Sequence, residues 1–293
     1  MLQEVLGVVT PVFAIAGIGY IWMRRGQAFD NETVGNLVMY IGSPCLIYSS
    51  LTAHAPSLDA LAIMASAAVV IIALNVCIAY AFLKLMRWPV PSFLPALVQP
   101  NGGNMGLPVA LLAFGETGLA LAMAYFFVNS VSQYTLGLAV SSGHFSVTQL
   151  LKQPVIWSVL VVLVVLSTDL AVPQWINDTT TLLGGLTIPI MLLMLGTSLA
   201  RLRISDVRQT STIALLRLGI GLGLGLLVIR WFELEGTSAG IVLLQATMPS
   251  AVFNYVFAER YDRDPEKVAA VIVQSTLLSV LVLPLLVAWA MKL

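Results

Sequence analysis

Two stretches of the sequence place amide side chains and prolines in the middle of long apolar runs. One reads NGGNMGLPVAL and the other reads QATMPSAVFNYV, and their candidate site residues are Asn101, Asn104, Pro108, Gln245, Pro249 and Asn254. A proline removes one backbone N–H and frees the carbonyl four residues earlier. Freed carbonyls and neutral amides bind ligands through dipoles, without a formal charge. Both stretches therefore predict a polar binding site inside an apolar environment.

Groups for proton transfer or nucleophilic attack are scarce in the same runs. None of the fourteen carboxylates falls near the middle of an apolar run, and His54 and His144 lie in predicted loops. Cys45 is a candidate nucleophile for an intramembrane enzyme, but no mid-span histidine or carboxylate is there to activate it. Proton coupling through a midplane carboxylate is therefore disfavoured. Facilitated transport and sodium coupling through neutral oxygens both stay open, and no other cofactor is indicated.

Three further polar residues complete the set of candidates. Asn129 and Gln133 lie in the apolar run that follows Pro108. Arg217 lies part of the way into another run, where two interpretations compete. Its side chain either snorkels to the interface or pairs with a carbonyl, which we favour slightly, or it faces a cavity and attracts an anion.

The composition identifies the class of protein that must position these residues. The chain has 293 residues, of which 59% are hydrophobic and 10% charged, and its mean hydropathy is +0.95 with zero formal net charge. Soluble domains carry about 25% charged residues. A soluble enzyme and a nucleic-acid binder are therefore both disfavoured, and an integral membrane protein in a lipid bilayer is predicted.

The apolar runs divide into ten predicted transmembrane helices, since each span needs about 20 residues. Their predicted bounds are 2–23, 34–53, 59–85, 93–114, 118–141, 155–172, 179–200, 210–232, 237–258 and 267–291. With the N-terminus outside, eleven of the fourteen Lys and Arg residues fall in inward loops and two fall outside. The positive-inside rule then places both termini on the non-cytoplasmic side of the cell (inner) membrane.

The ten spans fall into two halves, 1–145 and 146–293, with five spans each. An odd number of spans per half gives the halves opposite orientations, as in the inverted repeats of secondary transporters. Prolines support the pairing, because Pro44 and Pro189 are 145 residues apart and Pro108 and Pro249 are 141 apart. The broken fourth and ninth spans are expected to meet, with half-helices that begin near Pro108 and Pro249.

These motifs resemble those of the auxin efflux carrier family. The run from Asn101 to Pro108 looks like the fourth-helix motif of that family, and the run from Met248 to Tyr261 looks like its ninth-helix motif. The resemblance implies an all-α membrane protein with two inverted five-helix repeats and crossed helices 4 and 9. It also implies a scaffold of helices 1, 2, 6 and 7, a transport domain of helices 3–5 and 8–10, and a homodimer.

The same resemblance implies a substrate class. Family members carry small organic anions, including auxin-like and dicarboxylic acids. Plant members have a second proline at the position of Asn254 and a long central loop, so bacterial-type members are the better comparison. The leading hypothesis is an alternating-access carrier, and the alternatives are a passive channel, a ligand sensor and, much less favoured, an intramembrane enzyme.

Overall fold

The computed structural model describes residues 2–53, 56–168, 172–202 and 205–293. His54 and Asp169 lie outside these ranges, as does the inner-loop residue Arg203. The described residues contain no strand; they form fourteen α-helices and three π-helices. The α-helices are α1 (Leu2–Arg24), α2 (Asn31–Leu37), α3 (Ser43–Ala53), α4 (Leu58–Met86), α5 (Val90–Val98), α6 (Leu107–Ser132), α7 (Leu138–Ser142), α8 (Val147–Leu151), α9 (Pro154–Thr168), α10 (Gln174–Arg201), α11 (Val207–Trp231), α12 (Gly236–Thr247), α13 (Phe253–Arg260) and α14 (Pro265–Ala290). The π-helices are π1 (Val38–Gly42), π2 (Gly102–Gly106) and π3 (Gln133–Gly137).

Within the described ranges, seven helical stretches are long and apolar enough to cross a membrane. They are Gln3–Arg24, Asn31–Ala53, Leu58–Met86, Gly102–Ser142, Gln174–Arg201, Val207–Trp231 and Pro265–Ala290. A shorter apolar helix, α9, has 15 residues. Three differences reduce the number from ten to seven. The predicted ninth span is divided into α12 and α13, and α9, in the place of the predicted sixth span, is short. The part of the predicted fourth span after α5 lies in one stretch with the predicted fifth span. The ten-span inverted repeat stays a prediction.

Gly115 breaks the longest stretch, Gly102–Ser142, into two helical parts. Its backbone has φ +64° and ψ −160°, a conformation that lies outside the helical region and that glycine adopts without a Cβ clash. This break falls between the predicted fourth span, 93–114, and the predicted fifth span, 118–141. The sequence boundary between these two spans is therefore visible in the backbone.

Two of the paired prolines are each the second residue after a π-helix. Pro44 follows π1 and Pro108 follows π2. In each case the residue before the proline, Ser43 or Leu107, donates its N–H to the carbonyl five residues earlier. A proline in a regular α-helix clashes with the carbonyl four residues earlier. In the π-helical turn before each proline, the hydrogen bond spans five residues instead of four, so this turn is wider than an α-helical one. The helix then continues through the proline.

Close backbone contacts join the helices that lie around α10, which packs along α1 and α3. A Cβ built on Gly196 of α10 would lie 1.8 Å from the Ala16 carbonyl oxygen of α1. Polar contacts add to this packing, because the Tyr48 hydroxyl of α3 lies 3.1 Å from Asn177 Oδ1 of α10. On another side of the molecule, α11 packs on α12 and α14, and α4 packs on α6. Of these helices, α4, α11 and α14 each contact both α5 and α12, the first parts of the two broken helices.

The α1–α10 contact leads to a stability prediction. Gly196→Ala requires the two helix backbones to separate, and we expect it to destabilise the protein by about 1–3 kcal/mol, as overpacking does in tightly packed cores. Thermal unfolding of the purified protein in detergent measures the effect. Gly185→Ala on the same helix is the matched control, since no heavy atom lies within 4 Å of its added Cβ. Equal melting temperatures for the two variants would contradict the close approach.

Candidate functional site: a crossing of two broken helices

The break between α5 and π2 lies against the break between α12 and α13. Pro100 and Ser250 form an isolated antiparallel bridge at the point of contact. Both residues are buried, and the Ser250 N–H donates to Ser275 Oγ of α14 at 3.1 Å. The two divided helices therefore cross at their non-helical segments and contact α14 at the same place.

Two backbone hydrogen bonds join the breaks reciprocally. The Asn101 N–H donates to the Pro249 carbonyl at 2.7 Å, and the Ala251 N–H donates to the Gln99 carbonyl at 3.0 Å. An unpaired backbone group in the apolar core of a membrane costs several kcal/mol. Each break thus pairs backbone groups that the other leaves outside a helix, which explains why the two breaks occur together.

The half-helices begin at different residues from those predicted. The prediction placed their starts near Pro108 and Pro249, but the helices begin at Gly102 and Phe253, six residues earlier and four residues later. The first difference arises because Gln99, before a proline, is extended with φ −88° and ψ 110°. The helix therefore ends before Pro100, and the wider turn described above carries the next helix through Pro108.

Gln245 of α12 lies on the face of π2 formed by two glycines. A Cβ on Gly102 would lie 2.7 Å from Gln245 Oε1, and a Cβ on Gly106 would lie 2.5 Å from the same atom. The Gln245 side chain is 0% exposed, and neither of its polar atoms has a hydrogen-bond partner among the described residues. The glycines are thus required for the close approach of a buried amide that the fold leaves unpaired.

Other predicted amides share this unpaired state. The Cβ position of Gly102 is 3.5 Å from Asn129 Nδ2, so Asn129 and Gln245 both lie beside the same glycine. Within the described structure, neither polar atom of Asn129 has a partner, and the same is true of Asn101 Nδ2 and Gln133 Nε2. Leaving a buried polar group unsatisfied costs about 1–3 kcal/mol. Unpaired donors and acceptors of Asn129 and Gln245 thus lie together beside Gly102.

The predicted site residues that remain are Asn254, Asn104 and Pro108, which lie in the breaks or in the helical segments next to them. Asn254 donates from Nδ2 to Ser250 Oγ at 3.0 Å and to the Gln99 carbonyl at 3.4 Å. Its amide therefore links the non-helical segment between α12 and α13 to the end of α5. Asn104 is half-buried within π2, and Pro108 is buried at the start of α6. The structure therefore brings Asn101, Pro249 and Asn254 together through hydrogen bonds at the crossing, and Gln245 and Asn129 around Gly102.

Arg217 of α11 is 1% exposed, and it does not snorkel to the interface. Its guanidinium donates to three carbonyl oxygens, those of Ala246 at 2.8 Å, Leu97 at 3.1 Å and Met248 at 3.2 Å. These carbonyls lie at the C-terminal ends of α12 and α5. The interpretation as pairing with carbonyls is the one that the structure supports.

The energetic basis of this arrangement is the match between a buried charge and helix ends. Burying an ion costs several kcal/mol, whereas a hydrogen bond to a charged group stabilises by about 1.5–3 kcal/mol. The C-terminal ends of helices also carry negative partial charge. Asn75 of α4 is a second donor to the Leu97 carbonyl, which it reaches from Nδ2 at 3.1 Å.

Sequence reasoning did not single out Asn75, and it counted the two glycines that contact Gln245 only as part of the helix-breaking run. A signal for Asn75 was present, because it is the one amide in α4, whose mean hydropathy over its most apolar window is 2.6. For Gly102 and Gly106 the four-residue spacing places both on one face of a turn. Neither signal identifies the partner: the Leu97 carbonyl that Asn75 reaches lies on another helix, and Gln245 lies more than a hundred residues from the two glycines.

A groove of about 560 Å³ lies apart from the crossing, between α3, α9 and α10. Cys45, Tyr48, Lys152, Trp157 and Thr180 are among its lining residues. At the crossing itself the amides are buried, with Asn101 and Asn129 each 4% exposed. The crossing is therefore closed to bulk water in this conformation.

An apolar helical chain with two crossed, broken helices and unpaired amides at their meeting point has the features of a membrane transport protein. The sequence profile of the family described as membrane transport protein matches residues 4–145 and 138–287. The chain belongs to this family, the auxin efflux carrier family. It is therefore a transporter.

Two archaeal proteins are similar to the chain over nearly its whole length. A protein described as an uncharacterized transporter from Methanothermobacter thermautotrophicus is 27% identical over 292 residues, which cover 94% of this chain and 95% of that protein. Another uncharacterized transporter, from Methanocaldococcus jannaschii, is 25% identical over 298 residues, covering 96% and 97%. The likeness supports the family assignment over the full span of the fold.

The crossing geometry can be tested by cross-linking. Opposed residues in an antiparallel pair have Cα atoms about 4.5–5.5 Å apart, within the range of a disulfide. We expect Pro100→Cys with Ser250→Cys to form a disulfide under a membrane-permeant oxidant, in a background where Cys45 and Cys77 are serine. A protease sequence inserted after Gly143 allows detection, since the two halves then stay joined on a non-reducing gel.

The control pair replaces Pro100→Cys by Leu112→Cys, which lies twelve residues further along and is exposed on α6. This pair is expected to release separate halves after proteolysis. Equal cross-linking of both pairs, or none of the first, would contradict the contact between the breaks.

Proposed function

We propose that the protein is a secondary transporter that moves a small organic anion by alternating access at the helix crossing. The observation that carries the proposal is the group of buried, unpaired amides around Gly102. Asn101, Asn129 and Gln245 supply three unpaired N–H₂ groups there, and Asn129 and Gln245 add two unpaired oxygens. Gln133, one helical turn after Asn129, has a fourth unpaired N–H₂ group. A carboxylate accepts hydrogen bonds from such donors, and a hydroxyl or N–H on the same substrate can donate to the oxygens.

Charge near the crossing favours an anion over a cation. Arg217 is the one buried charged side chain among the described residues, and its charge is positive. The helix that begins at Gly102 also directs its N-terminal end at the crossing, and helix N-termini attract negative charge. The charge of Arg217 is balanced by the C-terminal ends of α5 and α12, so the N-terminal end at Gly102 would supply the positive potential that a carboxylate meets. No buried acid in the described part of the chain would compete with it.

The proposal includes the architecture that the sequence predicts. Ten spans in two inverted repeats, 1–145 and 146–293, would place the crossing near the middle of the cell membrane, with both termini outside. Helices 3–5 and 8–10 would move as a transport domain against a scaffold of helices 1, 2, 6 and 7 in a homodimer. The substrate class, a carboxylate such as an auxin-like or dicarboxylic acid, rests on the family resemblance and on the amide donors.

Gln245→Leu separates a binding role from a structural one. Leucine has nearly the same volume and removes two unpaired polar atoms, so the melting temperature should be unchanged or higher. Uptake of the transported acid into proteoliposomes should fall by about tenfold, as expected for the loss of one good hydrogen bond to the substrate. The substrate is identified first, by uptake of a panel of labelled carboxylic acids.

Gln174→Leu, the same substitution at an exposed position near the start of α10, is the control and should leave uptake and stability unchanged. Wild-type uptake in Gln245→Leu would contradict the proposed site.

Saturable uptake with counterflow exchange indicates a carrier. Single-channel currents without counterflow would indicate a pore, and substrate binding without flux would indicate a sensor.

A further inference from the structure

The C-terminal ends of both broken helices converge on one side chain. Arg217 reaches the Leu97 carbonyl at the end of α5 and the Ala246 and Met248 carbonyls at the end of α12. All three contacts lie between 2.8 and 3.2 Å, and the guanidinium is sealed from water. Its hydrogen-bond partners in the described structure are all backbone oxygens.

Carbonyl oxygens that converge from the C-terminal ends of two helices can coordinate a metal ion. The last carbonyls of a helix have no partner within it, and they point along the axis away from the helix. In secondary transporters with discontinuous helices, unwound carbonyls and half-helix C-terminal ends coordinate a sodium ion or proton. Here the carbonyls come from two helices that enter the crossing from different parts of the chain, and a guanidinium occupies the centre.

We propose that Arg217 is a fixed cation that takes the place of a coupling ion at the crossing, so that the site excludes sodium and transport does not depend on it. The part about transport rests on the proposed function. The part about the site rests on the three hydrogen bonds and the burial of Arg217, and can be tested without a substrate.

The charge balance of the site supports this assignment. Each helix C-terminus carries the equivalent of about half a negative charge, so two ends together balance one guanidinium. A sodium ion at the same oxygens would be a second positive charge beside the first, and no buried carboxylate among the described residues offsets it. A guanidinium attached to α11 also cannot leave, whereas a coupling ion must bind and dissociate in each cycle.

The experiment measures the melting temperature of the purified full-length protein in detergent, in sodium chloride and in choline chloride. Wild type is expected to melt at the same temperature in both salts. Arg217→Ala is expected to melt about 5–10 °C lower in choline, because the helix-end carbonyls lose their partner. Sodium or millimolar methylguanidinium should then raise the melting temperature of this variant in a saturable way, since the vacated oxygens can bind an added cation.

Two further variants control this result. Arg230→Ala removes an exposed arginine near the end of the same helix and should respond to neither cation. Arg217→Lys keeps a charge at the site and should stay insensitive to sodium, which keeps the test usable if the alanine variant does not fold. A saturable sodium-dependent rise in wild type, or an Arg217→Ala protein that no cation stabilises beyond choline, would overturn the proposal.

Transport assays then test the coupling. Uptake of the identified acid by wild type should proceed at the same rate with sodium or choline on both sides of the membrane. A sodium requirement for uptake would overturn the proposal, even if the melting data agree. Absence of any transport, together with the expected melting behaviour, would contradict the proposed function while leaving the fixed cation in place.

Discussion

The organisation of this protein depends on one constraint, that backbone N–H and C=O groups inside a bilayer must find partners within the protein. A broken helix exposes such groups in the apolar region where water cannot satisfy them. The two breaks solve this together through the reciprocal hydrogen bonds of Asn101 with Pro249 and of Ala251 with Gln99. The carbonyls at the ends of α5 and α12 are then satisfied by Arg217, so a buried charge becomes part of the fold.

The same constraint separates the polar residues into two groups. Asn75 and Asn254 donate to backbone or hydroxyl oxygens, and Gln99 donates from Nε2 to Ser132 Oγ at 2.9 Å, so each contributes to holding the crossing. Gln245 and Asn129 are equally buried but have no partner among the described residues. Keeping unpaired amides reduces stability, so their retention beside a close glycine contact fits a role in binding. A transporter needs such groups, because a substrate must replace water at the site.

Much of this arrangement follows from the order of residues. Hydropathy and length located the apolar helices, and α4 at Leu58–Met86 agrees with the predicted 59–85 within one residue. The glycines and proline of the run from Asn101 to Pro108 predicted a break, and the need to pair freed backbone groups inside the membrane predicted that the two breaks meet. The predicted starts of the half-helices differ from the observed ones at Gly102 and Phe253. The first differs because a π-helix with hydrogen bonds between residues five apart carries the chain through Pro108. The number of spans and the inverted repeat stay predictions.

The sequence alone determined that the chain is a membrane protein, that two of its spans are broken and which amides are candidates, because these properties depend on local composition and on the geometry of proline. The tertiary structure decided which candidates are used by the fold and which are left unpaired. It also decided the role of Arg217, whose partners lie 29 to 120 residues away in the chain. Hydrogen-bond satisfaction is a property of the packed structure, since each donor must find an acceptor within about 3 Å. No pattern of neighbouring residues specifies that distance.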